Sequence, residues 1–293
     1  VTFICILCEK VVTLQVTMSD EVLKIDVDAV LRNRAARYYR LIPGWVVRWL
    51  ERTVHQDELN DMLRRSHGLT GVEFAQFVLD ELDIKVHATG MEHLHAGQRY
   101  VFVANHPLGG LDGLALISLV GKRYDGRIRF LVNDLLMMVK PLGDVFLPVN
   151  KFGRQSREVA KLIDDEYRGD KQMLTFPAGL CSRLMPDGTV ADLKWNKHVV
   201  MRAASDKRDV VPVHVDAHNS RFFYRLAQWR KRLGIKFNIE MLYLPDEMFK
   251  QRGATLHITV GKPIACDTLD TAHPLDQAAR LRDIVYNLKN TAL

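Results

Sequence analysis

No stretch of the sequence approaches the roughly 18 to 20 consecutive apolar residues that a membrane-spanning helix needs, which excludes a helical integral membrane protein. Cysteine is sparse. Cys5, Cys8, Cys181 and Cys266 are too few and too scattered to frame 293 residues with disulfides, and a reducing compartment is the default. Glycine (18) and proline (10) stay near ordinary usage, which rules out collagen-like and low-complexity chains. Acidic residues fall short of basic ones, 35 against 41. The resulting formal charge of +6 favours an acidic partner such as nucleic acid, anionic lipid or an acidic carrier protein. What the sequence does have is a core: 47% hydrophobic residues suffice for one large domain or two small ones and exclude disorder.

Cys5 and Cys8 form a C-x-x-C pair, but no second Cys or His pair stands at zinc spacing and no thioredoxin-like context surrounds it. His87, His93 and His95 lack carboxylates at ligand spacing, so no metal site is expected. Phe3–Leu7 is too short, and lacks the basic flank, for a signal peptide. Met18 leads directly into the acidic Ser19-Asp20-Glu21. Residues 1–17 are therefore expected to be an upstream mis-start or a loose extension.

From Leu31 to Val54, arginines alternate with Tyr38, Tyr39, Leu41, Trp45 and Trp49, broken at Pro43-Gly44. This reads as two short basic, aromatic helices, whose amphipathic face suits a lipid headgroup layer and a packed helical hairpin equally. A further helix is expected over Thr70–Leu82. Beyond Asp83 the texture becomes alternating. Strand runs fall at Lys85–Thr89, Tyr100–Ala104, Ile128–Val132, Val145–Val149, Met173–Phe176, Val210–Val215, Phe237–Tyr243 and Leu256–Val260. Helical patterns lie between them at Leu114–Val120, Arg157–Tyr167, Lys197–Ala204, Phe222–Leu233 and Leu275–Leu288. The expected fold is α/β, with a mixed, largely parallel sheet flanked by helices over 85–293 and an N-terminal helical region over 18–84. Arg221–Leu233 mixes aromatic and aliphatic residues with five basic ones, a pattern that fits an anionic membrane, an acidic carrier protein, or ordinary packing on the sheet.

In open α/β sheets, functional groups gather beyond the carboxyl ends of strands. The run Tyr100–Ala104 is followed at once by Asn105-His106-Pro107-Leu108-Gly109-Gly110-Leu111-Asp112. Pro107 and the glycines force a turn that lets Asp112 fold back toward the imidazole. A carboxylate on one ring nitrogen fixes the tautomer and leaves the other nitrogen to take a proton from a hydroxyl. A turn histidine followed by an N-capping aspartate would leave the same pattern.

Taken with Phe176-Pro177-Ala178-Gly179, Ser182-Arg183 and Val211-Pro212-Val213, the order of these motifs resembles the glycerophospholipid acyltransferase family. The resemblance spans about 85–264 and looks closest to a bacterial branch related to lyso-ornithine-lipid and lyso-glycine-lipid O-acyltransferases. It implies that His106 is the general base and Asp112 its partner, with Asn105 beside them. The family's interval between them is four residues; here it is five, Pro107 to Leu111, with Gly109-Gly110 to absorb the extra one.

A second family motif, a glycine followed by an acceptor-binding arginine, looks like Gly143 to Lys151, with Arg154 and Arg157 nearby to supply the fork that lysine lacks. The third is Phe-Pro-Glu-Gly in phosphatidic-acid-forming relatives, whose glutamate contacts glycerol hydroxyls. Here Phe176, Pro177 and Gly179 remain but Ala178 replaces the glutamate, and a methyl group accepts no hydrogen bond. That moves the expected acceptor to a lyso-aminolipid, with Ser182 and Arg183 on the binding loop and Arg183 as a carboxylate clamp. The Gly179–Ser182 turn is expected to offer backbone N–H groups to the oxyanion. Val210–Val215 resembles the fourth motif, a strand that lines the acyl or acceptor channel, and reads equally as a core strand, with His214 a packed polar residue.

The reaction so implied transfers an acyl group from acyl carrier protein or coenzyme A to a lyso-lipid hydroxyl, with no cofactor beyond that thioester and no nucleic acid. It would take place on the cytoplasmic side, peripheral to the inner face of a bacterial membrane. The alternatives are acylation of lysophosphatidic acid, a hydrolase using Ser182 or Cys181, and a basic membrane or nucleic-acid binding module. The hydrolase is disfavoured because Gly179-Leu-Cys-Ser182 does not form a Gly-x-Ser-x-Gly elbow.

Overall fold

The computed structural model describes residues 17–19, 22–34, 36–149, 156–235 and 238–291. Its principal elements, in chain order, begin with helices α1 (Val27–Arg34), α2 (Gly44–Thr53), α3 (Gln56–Arg65) and α4 (Gly71–Glu81). There follow β1 (Lys85–Thr89), β2 (Tyr100–Ala104), α5 (Leu111–Arg123), β3 (Ile128–Asn133), β4 (Phe146–Val149), α6 (Arg157–Arg168), β5 (Gln172–Thr175) and α7 (His198–Ser205). The chain closes with β6 (Asp209–Asp216), α8 (Arg221–Arg232), α9 (Leu244–Lys250), β7 (Thr255–Val260) and α10 (Pro274–Asn287).

The seven strands form one sheet in the order β1-β7-β6-β2-β5-β3-β4. All neighbours run parallel except β6 and β7, which are antiparallel from Val213↔Val260 to Asp216↔His257. This is the mixed, largely parallel α/β sheet expected. The strand at its centre explains the sequence texture. β2 lies between β6 and β5 with every residue from Tyr100 to Ala104 buried, so it reads as a continuous apolar run, whereas edge strand β1 alternates between exposed and half-buried positions.

The chain divides into two compact units. One gathers 70–137, 141–218 and 253–293, and so contains the whole sheet. Its core is built from Val101 and Val103 of β2, Met173 of β5, Val210 of β6, Val200 of α7 and Leu281 of α10. Fully buried Arg208 donates to the carbonyls of Tyr167 (2.6 Å), Gly169 (2.7 Å) and Lys171 (2.8 Å), satisfying acceptors left open where α6 ends and β5 begins.

The other unit gathers 1–69, 138–140 and 219–252, within the described residues. Its core joins Val27 and Leu31 of α1, Leu50 of α2, Val54 and Leu242. The break at Pro43-Gly44 is where α2 begins, as the proline demands. Phe237–Tyr243 is corrected: Phe237 lies outside the described residues, and Ile239–Tyr243 is a 3₁₀ turn rather than a strand. Its apolar alternation at Ile239, Met241 and Tyr243 imitates a strand, but the residues turned inward are Glu240 and Leu242. Glu240 accepts from Arg230 Nε of α8 at 2.8 Å, and this buried ion pair holds the segment against the helix.

Candidate active site

At the carboxyl end of β2 the chain leaves the sheet through Asn105, whose side chain continues the strand pairing. Its Nδ2 donates to Val215 O (2.9 Å) and its Oδ1 accepts from Val215 N–H (2.7 Å). Asn105 is thereby committed to β6 and fixes the direction in which His106 emerges. Gly109 takes a positive φ of 81°, which costs glycine nothing, and the five-residue interval closes. Asp112 at the start of α5 then faces back, with its Oδ2 3.0 Å from His106 Nδ1. The same Oδ2 accepts from Leu108 N–H at 2.9 Å, and Oδ1 accepts from Gly113 N–H at 2.9 Å.

Asp112 is fully buried, and burial opposes its ionisation. The adjacent imidazole and the hydrogen bonds from His106, Leu108 and Gly113 outweigh that and hold its carboxyl below the ordinary range. Because this carboxylate only accepts, Nδ1 carries the proton and Nε2 presents its lone pair. Among the described residues nothing hydrogen-bonds Nε2, and the side chain is 15% exposed. One face of the ring is covered by Phe176, stacked at 3.8 Å between centroids and 17° between planes. Phe176 itself leans on Phe130, 5.1 Å away. The arrangement is an oriented, largely buried imidazole with one nitrogen left open.

The Phe176–Arg183 segment follows β5 and stands beside the histidine turn. Gly179 adopts φ 65°, and Pro177 O accepts from Asn196 N–H (3.1 Å) and Nδ2 (2.6 Å). Ala178 packs its methyl on the core cluster. Ser182 N–H donates to His106 O (2.7 Å) and Gly179 N–H donates to Phe176 O (2.9 Å). The expectation that this turn offers its amides to an oxyanion is therefore corrected for these two, which are already engaged within the protein.

Ser182 is 1% exposed, and its hydroxyl donates to Asp192 Oδ1 at 2.6 Å, so it holds the turn together. Arg183 is 4% exposed, with Nη1 3.2 Å from Cys181 Sγ, which places the guanidinium inside the protein. Buried Ser182 and Cys181 do not present a nucleophile to His106, which argues against the hydrolase. Lys151 and Arg154 lie outside the described residues. His214 is buried in β6 against Tyr286, and burial lowers its pKa to about 4, so it packs as a neutral ring. Val210–Val215 is buried throughout, as a core strand is. No group of three His, Cys, Asp or Glu able to hold a metal occurs among the described residues. Sequence reasoning missed Asp192, which lies in no recognisable motif and contacts the site through a main-chain amide.

With the fold and this geometry in place, the comparisons define the class. A family model described as acyltransferase matches residues 29–292, and the chain belongs to that acyltransferase family. Two relatives are named lyso-glycine lipid O-acyltransferase. The protein from Bacteroides thetaiotaomicron is 47% identical over 92% of this chain and 99% of its own length. The one from Phocaeicola vulgatus is 46% identical over 92% and 96%. The 1-acyl-sn-glycerophosphate (LPA) acyltransferase PlsC from Thermotoga maritima superposes with a TM-score of 0.45 at 17% identity, covering 83% of this chain and 95% of that one.

Proposed function

We propose that this acyltransferase moves a fatty acyl group from a thioester, carried by acyl carrier protein or coenzyme A, to the hydroxyl of a lyso-glycine type lipid. The observation that carries the mechanism is the open Nε2 of a histidine whose Nδ1 is held by a buried carboxylate. Nε2 takes the acceptor's hydroxyl proton and the alkoxide attacks the thioester carbonyl. The tetrahedral intermediate then expels thiolate, which recovers the proton from the imidazolium. Asp112 stabilises that imidazolium while it exists, and no acyl-enzyme forms. The names of both relatives support a lyso-glycine acceptor, and so does Ala178, which offers nothing to a glycerol hydroxyl.

An anionic membrane surface is the proposed workplace. No helix among the described residues is long and apolar enough to cross a membrane. The helical unit instead exposes Leu41 (69%), Trp45 (64%), Trp229 (65%) and Leu233 (65%). In the same unit Tyr243 meets Trp49 and Phe222 edge to face, at 6.4 and 5.0 Å. α8 buries Phe223, Tyr224, Ala227 and Arg230 and turns Phe222, Arg225, Trp229 and Arg232 outward. Aromatic rings interleaved with exposed arginines are the composition that settles at a headgroup boundary.

The test supplies acyl thioester on either carrier to vesicles containing lyso-glycine lipid, lyso-ornithine lipid or lysophosphatidic acid. Label is expected in the lyso-glycine lipid. Label in lysophosphatidic acid alone would keep the chemistry and overturn the acceptor. No transfer to any acceptor from either carrier would overturn the proposal.

A further inference from the structure

Asp192 follows the short strand Val190–Ala191 and is fully buried. It meets no cation at ion-pair distance among the described residues. Such a carboxylate is strongly unfavourable unless donors surround it. Here they do. Oδ1 accepts from the His106 main-chain N–H (3.1 Å) and the Ser182 hydroxyl (2.6 Å), and Oδ2 accepts from Trp195 Nε1 (2.9 Å). Ser182 closes a ring by donating its own N–H to His106 O (2.7 Å). Both main-chain polar groups of His106 are thus held by this cluster. Asp192 is itself anchored from α10: its N–H donates to the Tyr286 hydroxyl (2.8 Å), and its carbonyl accepts from Arg282 Nη2 (2.9 Å).

We infer that Asp192 is a positioning residue for acyl transfer, a buried anion that clamps the backbone of His106 so that Nε2 keeps one direction. The inference deepens the proposed function and rests on His106 being its base. Asp112 fixes the ring's tautomer and Phe176 its plane, but neither fixes the main chain from which the ring hangs. Asp192 and Ser182 supply that third constraint, joining the histidine turn to the loop after β5. A displacement of about 1 Å at a reacting group is enough to cost roughly 100-fold in rate.

The test is Asp192→Asn, which keeps the shape but turns one oxygen into a donor. With the amide oxygen toward His106 and Ser182, its NH₂ opposes Trp195 Nε1–H; flipped, it opposes the His106 main-chain N–H. The variant's kcat is expected to fall about 10- to 100-fold with acceptor KM within about twofold. Asp192→Asn combined with Trp195→Phe removes the opposing donor and is expected to regain at least about fivefold of that loss. A single variant with kcat within about twofold of the parent, a loss confined to KM, or a double variant no better than the single would overturn the inference.

Should Asp192→Asn fail to fold, Ser182→Ala removes one bond of the ring and is expected to lower kcat at least about threefold at unchanged KM; unchanged kcat would overturn the inference. The backbone amide resonance of His106, read by selective ¹⁵N labelling, is expected to shift in Asp192→Asn. That readout needs no acceptor. If the parent enzyme acylates no lyso-lipid, the functional reading fails, and an unmoved His106 amide separately overturns the clamp.

Discussion

In the sheet unit, polar side chains turn inward and find partners: Asp112, Asp192, Ser182 and Asn105 are all buried and all hydrogen-bonded. In the helical unit, large apolar side chains turn outward, and Leu41, Trp45, Trp229 and Leu233 each leave more than half their surface to solvent. Each inverts the usual placement of its residue type. An inverted polar residue is tolerated where low dielectric strengthens the bonds that orient a side chain, as around His106. An inverted aromatic residue is tolerated where another apolar phase covers it. On the proposed function, the chemistry belongs to the sheet unit and adhesion to a surface to the helical unit, and variants should separate them.

The largest separation is expected from Asp112→Asn. Loss of the acceptor that selects the tautomer should lower kcat by about 10²- to 10⁴-fold, while binding to anionic vesicles, read by co-sedimentation, stays at the parent level. Equal loss of both would dissolve the comparison.

Next comes Arg230→Ala, which removes the guanidinium from buried Glu240 in the helical unit. Breaking such a pair costs about 3–5 kcal/mol, measurable by urea unfolding. A loss below about 1 kcal/mol would mean that the ion pair does not hold the turn as described.

His214 sharpens the sheet side through pH. Its folded pKa of about 4 lies below the ordinary 6.5, so both states are neutral above pH 6.5 and nothing is lost there. Below 6.5 the unfolded chain takes up a proton that the folded chain refuses. Stability should therefore decline from pH 6.5 to about 4, by roughly 3 kcal/mol in all. The slope of Tm against pH in this window should flatten in His214→Phe, and an unchanged slope would assign the decline elsewhere.

The smallest effect belongs to the exposed rings. Trp45→Ala with Trp229→Ala should weaken vesicle binding about tenfold and leave kcat on a detergent-dispersed acceptor within about twofold. Retained binding would remove the membrane from the account of that face.

Much of this was legible beforehand. The central strands of the sheet were readable as continuous apolar runs, the edge strand Lys85–Thr89 by its alternation, and the roles of His106 and Asp112 were implied by the family resemblance, since the turn alone reads equally as a capped helix start. Phe237–Tyr243 misled because alternation of Ile239, Met241 and Tyr243 says nothing of an arginine nine residues upstream of Ile239 in α8. Asp192 was illegible for a different reason. Asp192 itself stands in no motif, and its contacts to the His106 main-chain amide, the Ser182 hydroxyl and the Trp195 indole carry no spacing signature, so only the folded chain shows them. Arg183 illustrates the converse, a charge expected from the resemblance to clamp a carboxylate on the binding loop and found 4% exposed.

The measurement closest to the central claim compares initial rates of acyl transfer to the lyso-glycine lipid for the parent enzyme and a folded His106→Ala variant at saturating thioester. The variant is expected to lose at least about 100-fold in kcat, the low end for removal of a general base. Near-parental turnover by His106→Ala would contradict it.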